Sequence, residues 1–300
     1  MATDPKGISR PTNRNHPTNH KPPTNQKHRK AKENAQATHP TALRDRLLDH
    51  FQVLRIPVQP EQFDTAITRA QRERMSHLEF LEALIGEQAG QRRERSIERR
   101  IREARFHEPQ TLAMFDWKFN AKTIDRMQIE ELATADFIRR GDNIVVVGQS
   151  GVGKSHIIQS VGRNACVLGY RIRYTTSAEL LADLTASLAD QTLLARLRYY
   201  GRFDLLIIDE FGFDKIERAE SSQAASLLYK VIDTRCQQRS TALMTNIDFD
   251  AWGDYLGDAP LAMAFLDRLV DGAIVLKIKG RSYRAHRAKK RTPSSKPAPE

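Results

Sequence analysis

The sequence predicts an α/β fold in which a parallel sheet is covered by helices on both faces, preceded by a small all-helical domain. Two observations predict it. Short apolar strands alternate with amphipathic helices from Ile124 to Ile278, whereas helical periodicity alone runs through residues 43–107. Strands that are separated by helices are parallel, because each crossover returns the chain to the same end of the sheet. We therefore expect a helical domain at 43–107 and an α/β domain at 108–284.

The net charge of +11 is concentrated at the two ends of the chain. Residues 1–42 carry a charge of +6 and residues 281–300 another +6, whereas the stretch between them carries −1. Residues 1–42 and 285–300 are also poor in large apolar side chains, so we expect both to be disordered basic tails. Basic ends on a near-neutral body are typical of proteins that bind nucleic acid, although purely solubilising tails have the same composition.

Composition also excludes several classes of protein. The two cysteines, Cys166 and Cys236, form neither a CxxC pair nor a group with histidines, which excludes a disulfide scaffold and gives no zinc motif. No apolar run approaches the roughly 18 residues of a membrane span. The polar, proline-rich start of the sequence is unlike a signal peptide. We therefore expect a soluble, intracellular protein without a membrane partner.

The helical domain is predicted from spacing and capping. Apolar side chains on one face of its first helix recur at Leu43, Leu47, Phe51 and Leu54. Ser76 and Glu79 form an S-x-x-E capping box in front of a second apolar run.

A basic helix is predicted over Gln91–Arg105, where seven arginines are diluted by three glutamates. The arginines are Arg92, Arg93, Arg95, Arg99, Arg100, Arg102 and Arg105. One interpretation is a solvated face that is held by ion pairs between residues four apart. The other is a surface that contacts phosphates. The sequence pattern alone does not separate the two.

A phosphate-binding loop follows the predicted strand Asn143–Val147 and precedes the predicted helix Lys154–Leu168. It matches the G-x-x-x-x-G-K-[ST] pattern in full, with the flanks that this pattern requires. Glycines let backbone N–H groups approach phosphate oxygens, and the helix N-terminus favours an anion. Lys154 is predicted to contact the β- and γ-phosphates of ATP, and Ser155 to offer a hydroxyl to Mg²⁺. The predicted ATP-binding residues are Gly148, Gln149, Ser150, Gly151, Val152, Gly153, Lys154 and Ser155.

A second apolar strand, Phe203–Asp209, ends in two consecutive acids, Asp209 and Glu210. A strand this apolar must be buried, so the acids emerge at the carboxyl end of the sheet, where ligands bind in such folds. Asp209 is predicted to hold Mg²⁺, and Glu210 to orient and deprotonate the attacking water. The two acids together favour ATP hydrolysis over nucleotide binding alone.

Two further residues have open interpretations. Asn246 ends the predicted strand Thr241–Asn246, and it could contact the γ-phosphate or the attacking water, or serve as a turn residue. Arg268 lies in the predicted helix Leu261–Val270. It could be an ordinary surface arginine, or an arginine finger that reaches the γ-phosphate of a neighbouring subunit. Such a finger accelerates hydrolysis by about 10³–10⁵-fold.

Taken in order, these motifs resemble the IstB-like proteins, the AAA+ helper ATPases of bacterial insertion sequences, and more distantly the helicase loader DnaC. The resemblance runs from about Leu43 to Arg284. Its motifs are Ser76–Leu81, Ala104-Arg105-Phe106, Leu112, Phe115-Asp116, the phosphate loop with the following His156, Ile208–Gly212, Thr245-Asn246 with Trp252, Asp267-Arg268-Leu269 and Gly280–Arg284.

The resemblance implies an AAA+ P-loop core without a full lid domain, in which His156 joins the ATP site and Asn246 acts as a sensor. It implies a homo-oligomer that assembles on double-stranded DNA with ATP at subunit interfaces, so that Arg268 acts catalytically in trans. It further implies a partner transposase of the IstA kind and a place in the bacterial cytoplasm. The basic helix would then grip DNA, and Arg284 would sense the nucleotide or the interface.

The departures from the family pattern are small. Gln149-Ser150 stands where prolines are frequent, Ser155 where threonine is usual, and Thr245 where serine is usual.

Three other functions remain open. The first is a helicase loader that prefers single strands. The second is an ATP-gated DNA clamp with negligible hydrolysis, against which Glu210 argues. The third is a small-molecule kinase, in which the basic ends have no role.

Overall fold

The computed structural model describes residues 40–213 and 222–291. The chain divides into two compact units between Gln88 and Ala89. The sequence placed this boundary at 107/108 instead. The difference arises because one continuous helix, His77–Ala104, carries the chain past the division, and its basic half belongs to the second unit.

The first unit is helical, as predicted. Helix α1 spans Pro40–Val53, so residues 40–42 belong to a helix rather than to a tail, and α2 spans Pro60–Glu73. The rings of Phe51 and Phe63 meet edge to face at 6.0 Å between centroids. Arg44 donates two 2.7 Å hydrogen bonds to the carboxylate of Asp64. These contacts hold α1 against α2.

Helix α3, His77–Ala104, begins at the predicted capping box. The Ser76 N–H donates to Glu79 Oε2 at 2.6 Å, and the Glu79 N–H donates to Ser76 Oγ at 3.3 Å. This reciprocal pair satisfies two backbone donors that the first turn of a helix leaves unpaired.

The second unit is an α/β domain. Its elements after α3 are α4 (Arg126–Ala133), α5 (Asp136–Arg140), β1 (Ile144–Gly148), α6 (Lys154–Val167), β2 (Ile172–Thr176), α7 (Ser177–Ala189), α8 (Leu193–Gly201), β3 (Leu205–Phe211), α9 (Ser222–Arg235), β4 (Ser240–Thr245), α10 (Trp252–Leu256), α11 (Ala259–Val270), β5 (Ile274–Ile278) and α12 (Tyr283–Arg291). Two short 3-10 helices lie at Leu112–Met114 and Phe249–Ala251.

The five strands form one parallel sheet in the order β2-β3-β4-β1-β5. One apolar cluster, which includes residues of α4 and α6, covers one face, and a second cluster from α7, α9, α10 and α11 covers the other. The predicted fold class is therefore confirmed. Because β4 lies between β1 and β3, the residues that follow these three strands emerge side by side at one edge.

A buried arginine fastens the opposite edge. Arg235 is 1% exposed, and it donates to the carbonyl oxygens of Tyr200, Phe203 and Ser240 and to Thr241 Oγ1. Burial lowers the pKa of its guanidinium to about 9. Four acceptors, in α8, in the segment before β3 and in β4, compensate the loss of water around it, so Arg235 ties α8 to the segment before β3 and to the start of β4.

The C-terminal prediction was wrong in part. Residues 285–291, which were expected to belong to a disordered tail, form most of helix α12. The remaining parts of the two predicted tails, residues 1–39 and 292–300, lie outside the described residues. Among the helices that the structure describes, none is both long and apolar enough to cross a membrane.

Candidate nucleotide site

The phosphate loop joins β1 to α6 and lies in contact with an aromatic segment. Gly153 has a φ of +106°, and a Cβ added there would lie 2.9 Å from the ring of Phe115. His156 Nε2 contacts the Thr111 carbonyl oxygen at 2.9 Å, and its ring meets the Phe115 ring at 5.1 Å. We call residues 111–117 the strap. His156, which was predicted to join the ATP site, contacts the strap.

Lys154 is enclosed by the loop that it follows. Its Nζ donates to the carbonyl oxygens of Gly148 at 2.6 Å and Gln149 at 3.0 Å, and the residue is 6% exposed. Burial lowers the pKa of its ammonium group, the charge of Asp209 opposes that shift, and the charge of Arg284 adds to it. The charges of Asp209 and Arg284 therefore both act on Lys154.

Asp209 and Glu210 form a β-bulge near the end of β3. Ile208 pairs with Leu243 and Phe211 with Thr245, so two residues of β3 oppose one residue of β4. Glu210 has a φ of +59° and is exposed, whereas Asp209 is 4% exposed. A bulge redirects side chains at the end of a strand. The two acids are thereby separated into one buried and one solvent-facing carboxylate.

The buried carboxylate is held on both oxygens. Tyr174 donates its hydroxyl to Asp209 Oδ2 at 2.8 Å, and the Glu210 N–H donates to Asp209 Oδ1 at 2.7 Å. Burial, followed by the charge of Asp209 and this hydrogen bond, raises the pKa of Tyr174. Tyr174 is therefore a proton donor throughout the physiological pH range.

Asn246 directly follows β4 and is exposed. Its Oδ1 lies against Gly212, where an added Cβ would be 2.8 Å away. Thr245 Oγ1 accepts a hydrogen bond from the Ile247 N–H at 3.0 Å, which shapes the turn. The structure thus brings Asn246 to the same sheet edge as Glu210 and the phosphate loop.

The C-terminal segment is docked onto the phosphate loop. The Tyr283 N–H donates to the Gly151 carbonyl oxygen at 2.8 Å. Asn120 bonds both the N–H and the carbonyl oxygen of Arg281, and the ring of Phe119 meets that of Tyr283 at 5.0 Å. This docking places Arg284 near Lys154.

Arg268 is not part of the site in its own chain. Its carbonyl oxygen accepts from Asn143 Nδ2 at 3.5 Å, at the start of β1, whereas the phosphate loop follows the end of that strand. The Arg268 Nε lies 3.3 Å from Asp233 Oδ1. A hydrogen bond with Tyr229, and then the charge of Asp233, raise the pKa of its guanidinium.

The basic half of α3 presents a stripe of arginines. Arg92, Arg95, Arg99 and Arg102 follow helical spacing on the side opposite Ile97, Ile101 and Ala104, and all four are exposed. Within residues 40–213 and 222–291, no ion pair joins them to a carboxylate. Arg93 and Arg105 are exposed beside the stripe. The described structure therefore does not show the ion pairs between residues four apart that one interpretation of this helix required.

Arg100 has a different role from the one the sequence suggested. It is half-buried, its Nε donates to the Cys166 carbonyl oxygen at 2.8 Å, and its Nη1 donates to Ser96 Oγ at 2.8 Å. Arg100 therefore fastens α3 to α6, the helix that begins at the phosphate loop, and its contact with DNA stays a prediction.

The donors present fit Mg²⁺. Ser155 and the buried Asp209 lie at the loop and at the adjoining strand end, and no group of three or more potential metal-binding side chains occurs in the described part of the chain. Magnesium in nucleotide sites is held by one or two protein oxygens, with phosphates and water completing its shell. A sparse oxygen site of this kind suits it.

Several contacts around the site have no signal in the sequence. Tyr174 and Asn120 matched no motif. Phe115 and Tyr283 belonged to the family resemblance but had no role assigned. Each meets the site through residues distant in the chain, so only pairwise contacts reveal it.

Comparisons with known proteins agree with these features. A family model described as "IstB-like ATP binding protein" matches residues 49–291. The "Insertion sequence IS5376 putative ATP-binding protein" of Geobacillus stearothermophilus is 32% identical over 243 residues, which cover 81% of this chain and 94% of the relative. The corresponding IS21 protein of Pseudomonas aeruginosa is 32% identical over 227 residues, 76% and 84% of the two chains. A crystal structure of DnaI is 19% identical, with a TM-score of 0.47, over 57% of this chain and 91% of that one.

Proposed function

The chain belongs to the family of IstB-like ATP-binding proteins, and on that premise we propose that it is a transposition helper that assembles on duplex DNA, hydrolyses ATP and recruits a transposase of the IstA kind in the bacterial cytoplasm. The observation that best supports hydrolysis is that one of the two consecutive acids is buried and the other faces solvent. Asp209 is buried beside Lys154, whereas Glu210 faces solvent directly after it.

In this proposal each residue acts on a different part of the reaction. Lys154 and the loop N–H groups bind the β- and γ-phosphates. Ser155 and Asp209 hold Mg²⁺, which neutralises charge on the phosphate oxygens. Glu210 accepts a proton from the attacking water, and Asn246 orients that water from the adjacent strand end. The exposure of Glu210 and Asn246 at one edge supports these two roles.

The charge that develops on the γ-phosphate is stabilised by Arg268 of a neighbouring subunit. Arg268 lies near the start of β1, far from its own phosphate loop, so it has no role in its own site. It is half-exposed and its ion pair with Asp233 is solvent-accessible. Exposed pairs contribute only about 0–1 kcal/mol, so the guanidinium can leave Asp233 at little cost.

DNA is bound through its phosphates. The arginine stripe of α3 and the exposed Arg287 and Lys290 of α12 supply positive charge. Contacts of this kind carry little sequence information and weaken steeply as salt rises. We therefore expect weak sequence preference and a strong salt dependence of binding.

The test is ATP hydrolysis by the whole protein without DNA, with duplex DNA and with single strands. Turnover that rises with duplex and is lost in Glu210→Gln is the expected result. The Glu210→Gln variant should also accumulate as the ATP-bound assembly, because binding is intact and only the water is not activated. Lys154→Ala should abolish that assembly.

Other outcomes would point elsewhere. Stimulation by single strands alone would identify a helicase loader instead. Nucleotide binding without turnover under any condition would leave an ATP-gated clamp. Loss of assembly in Glu210→Gln would contradict the assignment of Glu210 to water activation.

A further inference from the structure

Asp209 owes its orientation to a residue on another strand. Tyr174 lies on β2, opposite Ile207 of β3, and reaches two residues along that strand to donate its hydroxyl to Asp209 Oδ2 at 2.8 Å. Tyr174 is 3% exposed and Asp209 is 4% exposed. A hydrogen bond to a buried carboxylate is stronger than one between neutral groups, because little water competes for the charge.

The phenol is itself fixed in place. The edge of the His107 ring meets the Tyr174 ring at 4.8 Å between centroids, and Phe106 lies at 6.3 Å. These two residues come shortly after the end of α3 at Ala104. The Tyr174 ring is therefore held by the sheet on one side and by the end of the basic helix on the other.

We propose that Tyr174 is a positioning residue that holds Asp209 in one orientation toward Mg²⁺. The inference rests on the proposed function, in which Asp209 binds the metal. Without the hydroxyl, the one hydrogen bond that the carboxylate keeps among residues 40–213 and 222–291 is that from the Glu210 N–H, so the carboxylate can rotate. Loss of an outer partner of a metal ligand commonly reduces metal affinity or activity by about 10–100-fold.

The chain supplies a matched control. Tyr200 is also 3% exposed, and its hydroxyl donates to Asp183 Oδ2 at the same 2.8 Å. This second pair joins α8 to α7 and includes no residue of the phosphate loop or of the β3 end. Tyr200→Phe removes the same kind of bond as Tyr174→Phe, without touching the metal carboxylate.

The experiment is a Mg²⁺ titration of the binding of a fluorescent, non-hydrolysable ATP analogue to the whole protein. Tyr174→Phe is expected to need about ten-fold or more Mg²⁺ for half-maximal binding. Tyr200→Phe should follow the wild type. In EDTA, all three proteins should bind the analogue with equal affinity, because Tyr174 acts only through the metal ligand.

Three results would overturn the inference while leaving the proposed function intact. They are an unchanged Mg²⁺ dependence in Tyr174→Phe, an equal loss of affinity in EDTA, and the same shift in Tyr200→Phe. If the wild type binds the analogue equally with and without Mg²⁺, the metal role of Asp209 fails first, and this inference with it.

Discussion

The two cysteines illustrate how burial sets reactivity at the scale of a residue. Cys166 is fully buried, and burial raises the pKa of its thiol to about 12. Cys236 is only half-buried. Since the thiolate is the reactive form, deprotonation and access both disfavour Cys166.

We therefore predict that iodoacetamide modifies Cys236 and spares Cys166 in the native protein. At pH 9 the Cys166 thiol stays protonated, because burial raises its pKa to about 12. Peptide mass spectrometry after native labelling at pH 7–9 checks this, with labelling in urea as the control for total reactivity. Rapid native modification of Cys166 would show that α6 opens.

The sign of the pH dependence follows from the same shift. A thiol whose pKa is raised by folding stays protonated in the native state where the unfolded chain would ionise. Its contribution to stability is complete below pH 9, the ordinary value, and is lost as the pH rises toward 12.

At the scale of an element, helix α3 packs on the core through one face and exposes arginines on another. Ile101 packs on the core, Ala104 is buried within it, and Arg100 anchors the helix to α6, while the arginine stripe faces solvent. A helix can serve both because residues three or four apart share a face. The anchor keeps the stripe at a fixed position relative to the phosphate loop.

We predict that Arg99→Ala with Arg102→Ala weakens duplex binding and lowers the salt dependence. Two lost phosphate contacts should reduce the slope of log affinity against log salt by about 1.8. Fluorescence anisotropy at several salt concentrations measures both quantities.

A control that removes equal charge is Arg126→Ala with Arg139→Ala, since both arginines are exposed and paired with acids on short helices. An equal loss in this control would mean that net charge, rather than the stripe, governs binding. Arg100→Ala should instead lower the free energy of unfolding, by about 1–3 kcal/mol, because the Cys166 carbonyl oxygen loses its charged donor and keeps the 3.2 Å bond from the Gly169 N–H.

At the scale of the whole molecule, the residues of the proposed site lie at two different edges of the sheet. The loop, both acids and Asn246 meet at the carboxyl edge of the sheet, whereas Arg268 lies toward the other edge. In the proposed function, an arginine in that position acts on the nucleotide of a neighbouring copy, so turnover would require the assembly.

We predict that Arg268→Ala and Lys154→Ala are each inactive alone and recover part of the activity when mixed. In the mixture, an intact phosphate loop of one variant can meet an intact Arg268 of the other. Steady-state ATPase assays across mixing ratios measure this recovery. Activity that never exceeds that of the separate variants would contradict action in trans.

The sequence by itself determined the features that depend on residues close together in the chain. The phosphate loop, the two acids near the end of β3 and the positions of the strands follow from short motifs and from hydrophobic periodicity, which depend on residues close together in the chain. The predicted strands Asn143–Val147, Phe203–Asp209 and Thr241–Asn246 were each found, with ends shifted by one or two residues. The capping box at Ser76 is equally local and was found as predicted.

Only the tertiary structure decided which distant residues share a site. Tyr174 and Asp209 lie 35 residues apart, and Asn120 and Arg281 lie 161 apart. Arg100 anchors α3 because the carbonyl oxygen of Cys166, 66 residues away at the end of α6, accepts its hydrogen bond. Such pairs depend on strand order and helix packing, and no period or motif encodes them, because burial of apolar surface places the elements without regard to their separation in the chain.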